Sequence, residues 1–64
     1  MIKIRARESF NMPYNNTIVK IRPQQIWYTH ESPSKITLEV QIWHEDITLN
    51  IPVTDYYKLF KRAK

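Results

Sequence analysis

"KITLEVQIWHEDITLNIPV", residues 35–53, decides how this chain folds. Ile36, Leu38, Val40 and Ile42 share one parity, and Lys35, Thr37, Glu39 and Gln41 share the other. "WHED", residues 43–46, interrupts the pattern. Ile47, Leu49, Ile51 and Val53 then resume it. An apolar side chain at every second position marks a strand with one face buried. The stretch therefore reads as two strands joined by a turn at 43–46. In that register Ile42 faces Ile47, Val40 faces Leu49 and Leu38 faces Ile51, all on the core side.

The same reading extends towards the N-terminus. "YNNT", residues 14–17, is a tight-turn signal in a chain with no glycine. Asn is the next best residue where a turn needs φ above zero. A two-residue loop at Asn15 and Asn16 sets Met12 opposite Val19 and Phe10 opposite Ile21. Pro13 is expected to weaken pairing beyond Met12. Ser32, Pro33 and Ser34 form a further turn signal. A loop there sets Tyr28 opposite Leu38, Ile26 opposite Val40 and Glu31 beside Lys35. Ile2, Ile4 and Ala6 alternate with Lys3, Arg5 and Arg7 in a first strand. A slip of one residue would turn each apolar set into water, and all these registers agree on one buried face.

The tail changes period. Tyr56, Leu59, Phe60 and Ala63 lie at i, i+3, i+4 and i+7, one face of a helix. Thr54 or Asp55 can cap its start. Lys61, Arg62 and Lys64 suit the negative end of its dipole. The expected fold is mainly β (α+β): one domain, residues 1–64, with about five strands in a curved antiparallel sheet or open barrel and a short C-terminal helix. This layout resembles the SH3-like small barrels, some of which bind DNA. No motif accompanies the likeness, so no functional residue is carried over from them.

Composition narrows the function. The chain has 64 residues and no cysteine, which removes disulfides, thiolate zinc sites and a Cys nucleophile. So small a core is often completed by a partner or a second copy. With no glycine there is no glycine-rich phosphate loop. Ser9, Ser32 and Ser34 have no evident His–acid pair. His30 and His44 sit in the related stretches "QIWYTHE" and "QIWHEDI", but the expected register separates them by about 20 Å along a strand, too far to share a metal. We expect no enzyme activity, no catalytic or metal residues, no cofactor and no small-molecule substrate. No secretory pattern or membrane span is present in the sequence, and the expected location is the cytoplasm. The bias towards Ile, Lys, Asn and Tyr fits an AT-rich genome, such as that of a phage or mobile element.

Charge and aromatics carry the functional expectation. Residues 1–22 hold a net +4, residues 23–55 a net −4 and residues 56–64 a net +4. Lys3, Arg5 and Arg7 share one strand face, Lys20 and Arg22 share another, and Lys61 and Arg62 lie in the tail. Together they are expected to form a basic patch if the strands are neighbours, suited to a partner surface or to phosphate. By parity Trp27 points outward beside Glu39, and Trp43 and Tyr57 are further exposed aromatics. Trp and Tyr dominate interface hot spots. The first expectation is a small regulatory protein that docks on, and inhibits or regulates, a larger protein or a second copy of itself. The alternative is a small basic nucleic-acid-binding β module.

Overall fold

The computed structural model describes residues 1–30 and 38–63. Among these residues, seven strands and one helix run in the order β1 (Ile2–Ala6), β2 (Phe10–Tyr14), β3 (Thr17–Ile21), β4 (Trp27–Thr29), β5 (Glu39–His44), β6 (Ile47–Pro52), α1 (Val53–Leu59) and β7 (Phe60–Arg62). β6, β5, β4, β1 and β7 form a five-stranded sheet in that order, and β2 and β3 form a separate hairpin. The pairs are antiparallel. Among the described residues the fold is β-rich with one short C-terminal helix, and the sheet is open rather than closed into a barrel. Among the described residues no helix is long and apolar enough to cross a membrane.

The first hairpin has the expected register. Phe10 pairs with Ile21 and Met12 with Val19, across a loop in which Asn15 and Asn16 have φ of 45° and 62°. Pairing continues through Pro13 to Tyr14. Proline is tolerated because β2, among the described residues, has a neighbour on one side only.

The second hairpin keeps the expected face but shifts by two residues. Ile42 pairs with Leu49, Val40 with Ile51 and His44 with Ile47. The turn is therefore Glu45 and Asp46 alone, and Trp43 and His44 belong to β5. A two-residue hairpin loop favours positive φ at its first residue, and Glu45 supplies it at 55°. Leu38 lies just before β5 and is 83% exposed. Its carbonyl accepts a hydrogen bond from Val53 N–H. There the chain leaves the sheet to start α1, and Leu38 lies beyond Glu39–Pro52, the last pair of the β5–β6 ladder.

β4 departs most from the expected order. Tyr28 pairs with Trp43 and Thr29 with Ile42, not Tyr28 with Leu38. Trp27 is 0% exposed and Thr29 is buried beside it, while Ile26 and Tyr28 are half-buried. The expected outward Trp27 is thus corrected. Apolar residues stand on both parities of "IWY", so alternation alone leaves the face open, and the largest side chain takes the core. Its burial is compatible with its polar atom because Trp27 Nε1–H donates to Gln25 Oε1 at 3.3 Å. The Thr29 hydroxyl donates to the Gln41 carbonyl at 2.8 Å. The turn placed at 32–34, the Glu31–Lys35 pair and Ile36 lie outside the described residues.

The helix is also shorter than expected. It ends at Leu59, and Phe60 to Arg62 become an edge strand on β1. Its N-cap is Pro52 with no side-chain cap; Asp55 lies in its first turn. A helix of so few residues gains little on its own. The ladder to β1 and the burial of Phe60 against Ala6 outweigh another turn. The core comprises Ile4, Ala6, Ile21, Trp27, Val40, Ile42, Leu49, Ile51, Tyr56 and Phe60. The β2–β3 hairpin packs on it through Phe10, Met12, Tyr14 and Val19. Phe10 meets Phe60 edge-on at 5.6 Å.

This packing sets opposite expectations for two large side chains. Trp27→Ala should cost about 3–5 kcal/mol in urea unfolding. Leu38→Ala should stay within about 0.5 kcal/mol, and a core-sized loss there would show that Leu38 is buried.

Candidate nucleic-acid interface

Residues paired directly across antiparallel strands point to the same side of a sheet. Lys3 pairs with Tyr28, Tyr28 with Trp43 and Trp43 with Thr48. One row therefore crosses four strands on the face opposite Trp27. Arg5 pairs with Lys61 one row away, on the same side. Gln41 pairs with Asn50 and carries the face further along β5 and β6. Lys3, Arg5, Lys61, Gln41, Thr48 and Asn50 are exposed, and Tyr28 and Trp43 are half-buried. The His30 ring lies 4.8 Å from the Trp43 ring at 54°. The hairpin and helix pack against the other side of the sheet.

The result is a shallow platform. Two aromatic residues and an imidazole occupy its middle. Three cations, Lys3, Arg5 and Lys61, occupy the β1–β7 side. Glu39, paired with Pro52, is the acid at the far corner. Neighbouring strands lie about 4.8 Å apart, so Lys3, Tyr28 and Trp43 span about 10 Å. That spacing brings cationic and π-bearing groups within reach of one short segment of a ligand.

The expected patch divides. Lys3, Arg5, Arg7 and Lys61 come together because β7 pairs with β1. Lys20 does not join them, since β3 lies in the separate hairpin and Lys20 faces Asn11. Arg22 follows β3 and donates its backbone N–H to Gln25 Oε1 at 2.9 Å. Arg62 pairs with Ile4, opposite in parity to Lys61. Trp27 leaves the set of surface anchors, whereas Trp43 remains. Tyr57, 57% exposed, lies on α1 and not on the platform. Tyr28 and His30 were not legible as surface groups. Once Trp27 turns inward, their even parity places them outside.

His44 faces inward, its ring 5.1 Å from that of Trp27. Its Nδ1–H donates to the Ile26 carbonyl at 2.7 Å, the carbonyl being only an acceptor. Nε2 lies 3.9 Å from a Glu45 carboxylate oxygen. His30 and His44 are thus closer than the expected register implied, but their rings lie on opposite faces. Among the described residues no group of three His, Cys, Asp or Glu side chains could hold a metal ion. No protein-family model, curated protein or solved structure matches the chain.

Burial raises the pKa of Tyr56 above 10.0, the nearby Tyr57 adds to the effect, and Arg62 opposes it. Tyr56 therefore ionises at higher pH folded than unfolded. The stability this confers is fully present below the unfolded value and is lost as pH rises through the folded one. Between about pH 9 and pH 11, a window around the reference tyrosine, wild type should lose more stability than Tyr56→Phe. Equal losses in urea titrations would remove Tyr56 as the cause.

Proposed function

We propose that the open sheet face binds single-stranded nucleic acid, with bases stacked on Trp43 and Tyr28 and phosphates held by Lys3, Arg5 and Lys61. The observation that supports this most is the row Lys3–Tyr28–Trp43, which sets a cation and two aromatic rings side by side on a face that no described element covers. Single-strand binders combine these two features, a basic track for the backbone and π surfaces for the bases. The formal net charge of +4 favours a polyanionic ligand. The described face carries no projecting helix of the kind that duplex readers insert into the major groove, so an unstacked strand suits it better.

Docking on a protein is the second reading. Trp43 supports it as a surface aromatic, and Ile18, 68% exposed on the hairpin, adds an apolar group. The burial of Trp27 removes one of its expected anchors, while the small core, the divided charge and Trp43 still support it. An acidic protein surface would use the same cations with weaker demand for stacking.

Fluorescence anisotropy with a labelled single strand separates the two. Trp43→Ala should weaken binding by about 1–3 kcal/mol, the usual worth of one base stack, with an unchanged far-ultraviolet spectrum. Gln at Lys3, Arg5 and Lys61 should lower the slope of log affinity against log salt by about 0.7 for each phosphate no longer neutralised. Absence of oligonucleotide binding at low salt would refute the nucleic-acid reading and leave the protein partner as the reading to pursue.

A further inference from the structure

The cations of the platform continue past the end of β1. Arg7 donates its backbone N–H to the Leu59 carbonyl at 2.8 Å, which extends the β1–β7 ladder to the end of α1. Beside this point is a hollow of about 210 Å³ lined by Arg7, Tyr56, Tyr57, Phe60, Lys61 and Arg62. Half of these residues are cations, and among the described residues no Asp or Glu side chain lines the hollow. β7 is an edge strand, so Lys61 and Arg62 reach the hollow although they have opposite parity. Lys61 also belongs to the platform, which makes the two sites continuous.

We infer that this hollow binds a terminal phosphate monoester, carried by the end of the strand that lies on the sheet or by a free mononucleotide; the strand form rests on the function proposed above. A monoester carries about −1.5 to −2 charges near neutral pH and three acceptor oxygens. An internal phosphodiester carries one charge. Three cations lining one hollow therefore favour a strand end over its interior. Guanidinium groups match phosphate with paired hydrogen bonds, and Arg7 and Arg62 supply two. The volume lies below the 300–1,000 Å³ or so of pockets that enclose a drug-sized ligand. It suits a phosphoryl group and leaves the attached sugar and base outside. Tyr57, more than half exposed and edge-on to Tyr56 at 5.2 Å, offers a ring for them at the rim.

Amide NMR and anisotropy on the intact chain test this together. Inorganic phosphate and adenosine monophosphate should shift the amides of Arg7, Tyr57 and Lys61, whereas adenosine should not. A short oligothymidylate phosphorylated at one end should bind about tenfold more tightly than its hydroxyl-ended form, the effect of roughly one charge-assisted hydrogen bond. Arg7→Gln should erase that gain and leave binding of the hydroxyl-ended strand in place; its tie to Leu59 is through the backbone, so the fold should be kept. Equal affinity for the two strands, with no shifts from phosphate, would overturn the hollow while leaving the sheet as a binding face. Shifts from phosphate without binding of the hydroxyl-ended strand would support the hollow for free nucleotides and refute the platform.

Discussion

Trp27 sits on the central strand of the sheet, between β1 and β5, with its indole wholly removed from water. Burying an aromatic of 150–250 Å² contributes about 4–6 kcal/mol at 25 cal/mol per Å², a large share of what a domain this small can have. Gln25 makes the burial possible by accepting the indole hydrogen bond while also accepting the Arg22 amide. The inward turn of this one side chain fixes the rest of β4. Strand side chains alternate, so Thr29 must follow Trp27 into the core, and Tyr28 must emerge on the other side. The candidate binding platform is thus the reverse of the core, set by the same residue that the core depends on.

The second organising feature is the return of the chain to β1. α1 gives up its polypeptide to β7 at Phe60, which lands against Ala6. The Phe60 ring then holds Phe10 of the hairpin on one side and stacks with Tyr56 at 6.2 Å on the other. This aromatic chain joins sheet, hairpin and helix in a protein without cysteine. It has an electrostatic consequence as well. Lys61 and Arg62, expected as helix-end charges, become strand residues, Lys61 beside Arg5 on the platform side and Arg62 beside Ile4 on the other parity. Part of a basic tail is thereby converted into a cationic border of Lys3, Arg5 and Lys61 for the platform.

Glycine-free turns show how local chemistry and tertiary demand interact. Asn15 and Asn16 accept left-handed φ readily, and their hairpin has the register that the sequence implies. Glu45 accepts it at a cost, and that is where the expected register failed. A four-residue loop at "WHED" would leave Trp43 and His44 out of the ladder. The two-residue loop instead gains the pairs Trp43–Thr48 and His44–Ile47. Two added ladder positions, with His44 packed on Trp27, outweigh the local strain of one residue.

Period-two alternation at Ile2–Ala6, Phe10–Ile21 and Val40–Ile51 was legible from residues alone, because each segment holds its apolar groups mainly on one parity. Mainly β structure, the Asn turn and the inward faces of those strands follow from that pattern. The basic character of Lys3, Arg5 and Arg7 follows from it too. Other features needed the assembled molecule. "IWY" has apolar groups on both parities, so the competition for core volume decided that Trp27 goes in and Tyr28 out. Phe60 satisfies helical and strand spacing alike, and the free edge of β1 decided between them. Which cations meet was also a tertiary outcome: sheet order, set by long-range pairing that sequence periodicity does not encode, put Lys61 beside Arg5 and left Lys20 on the hairpin.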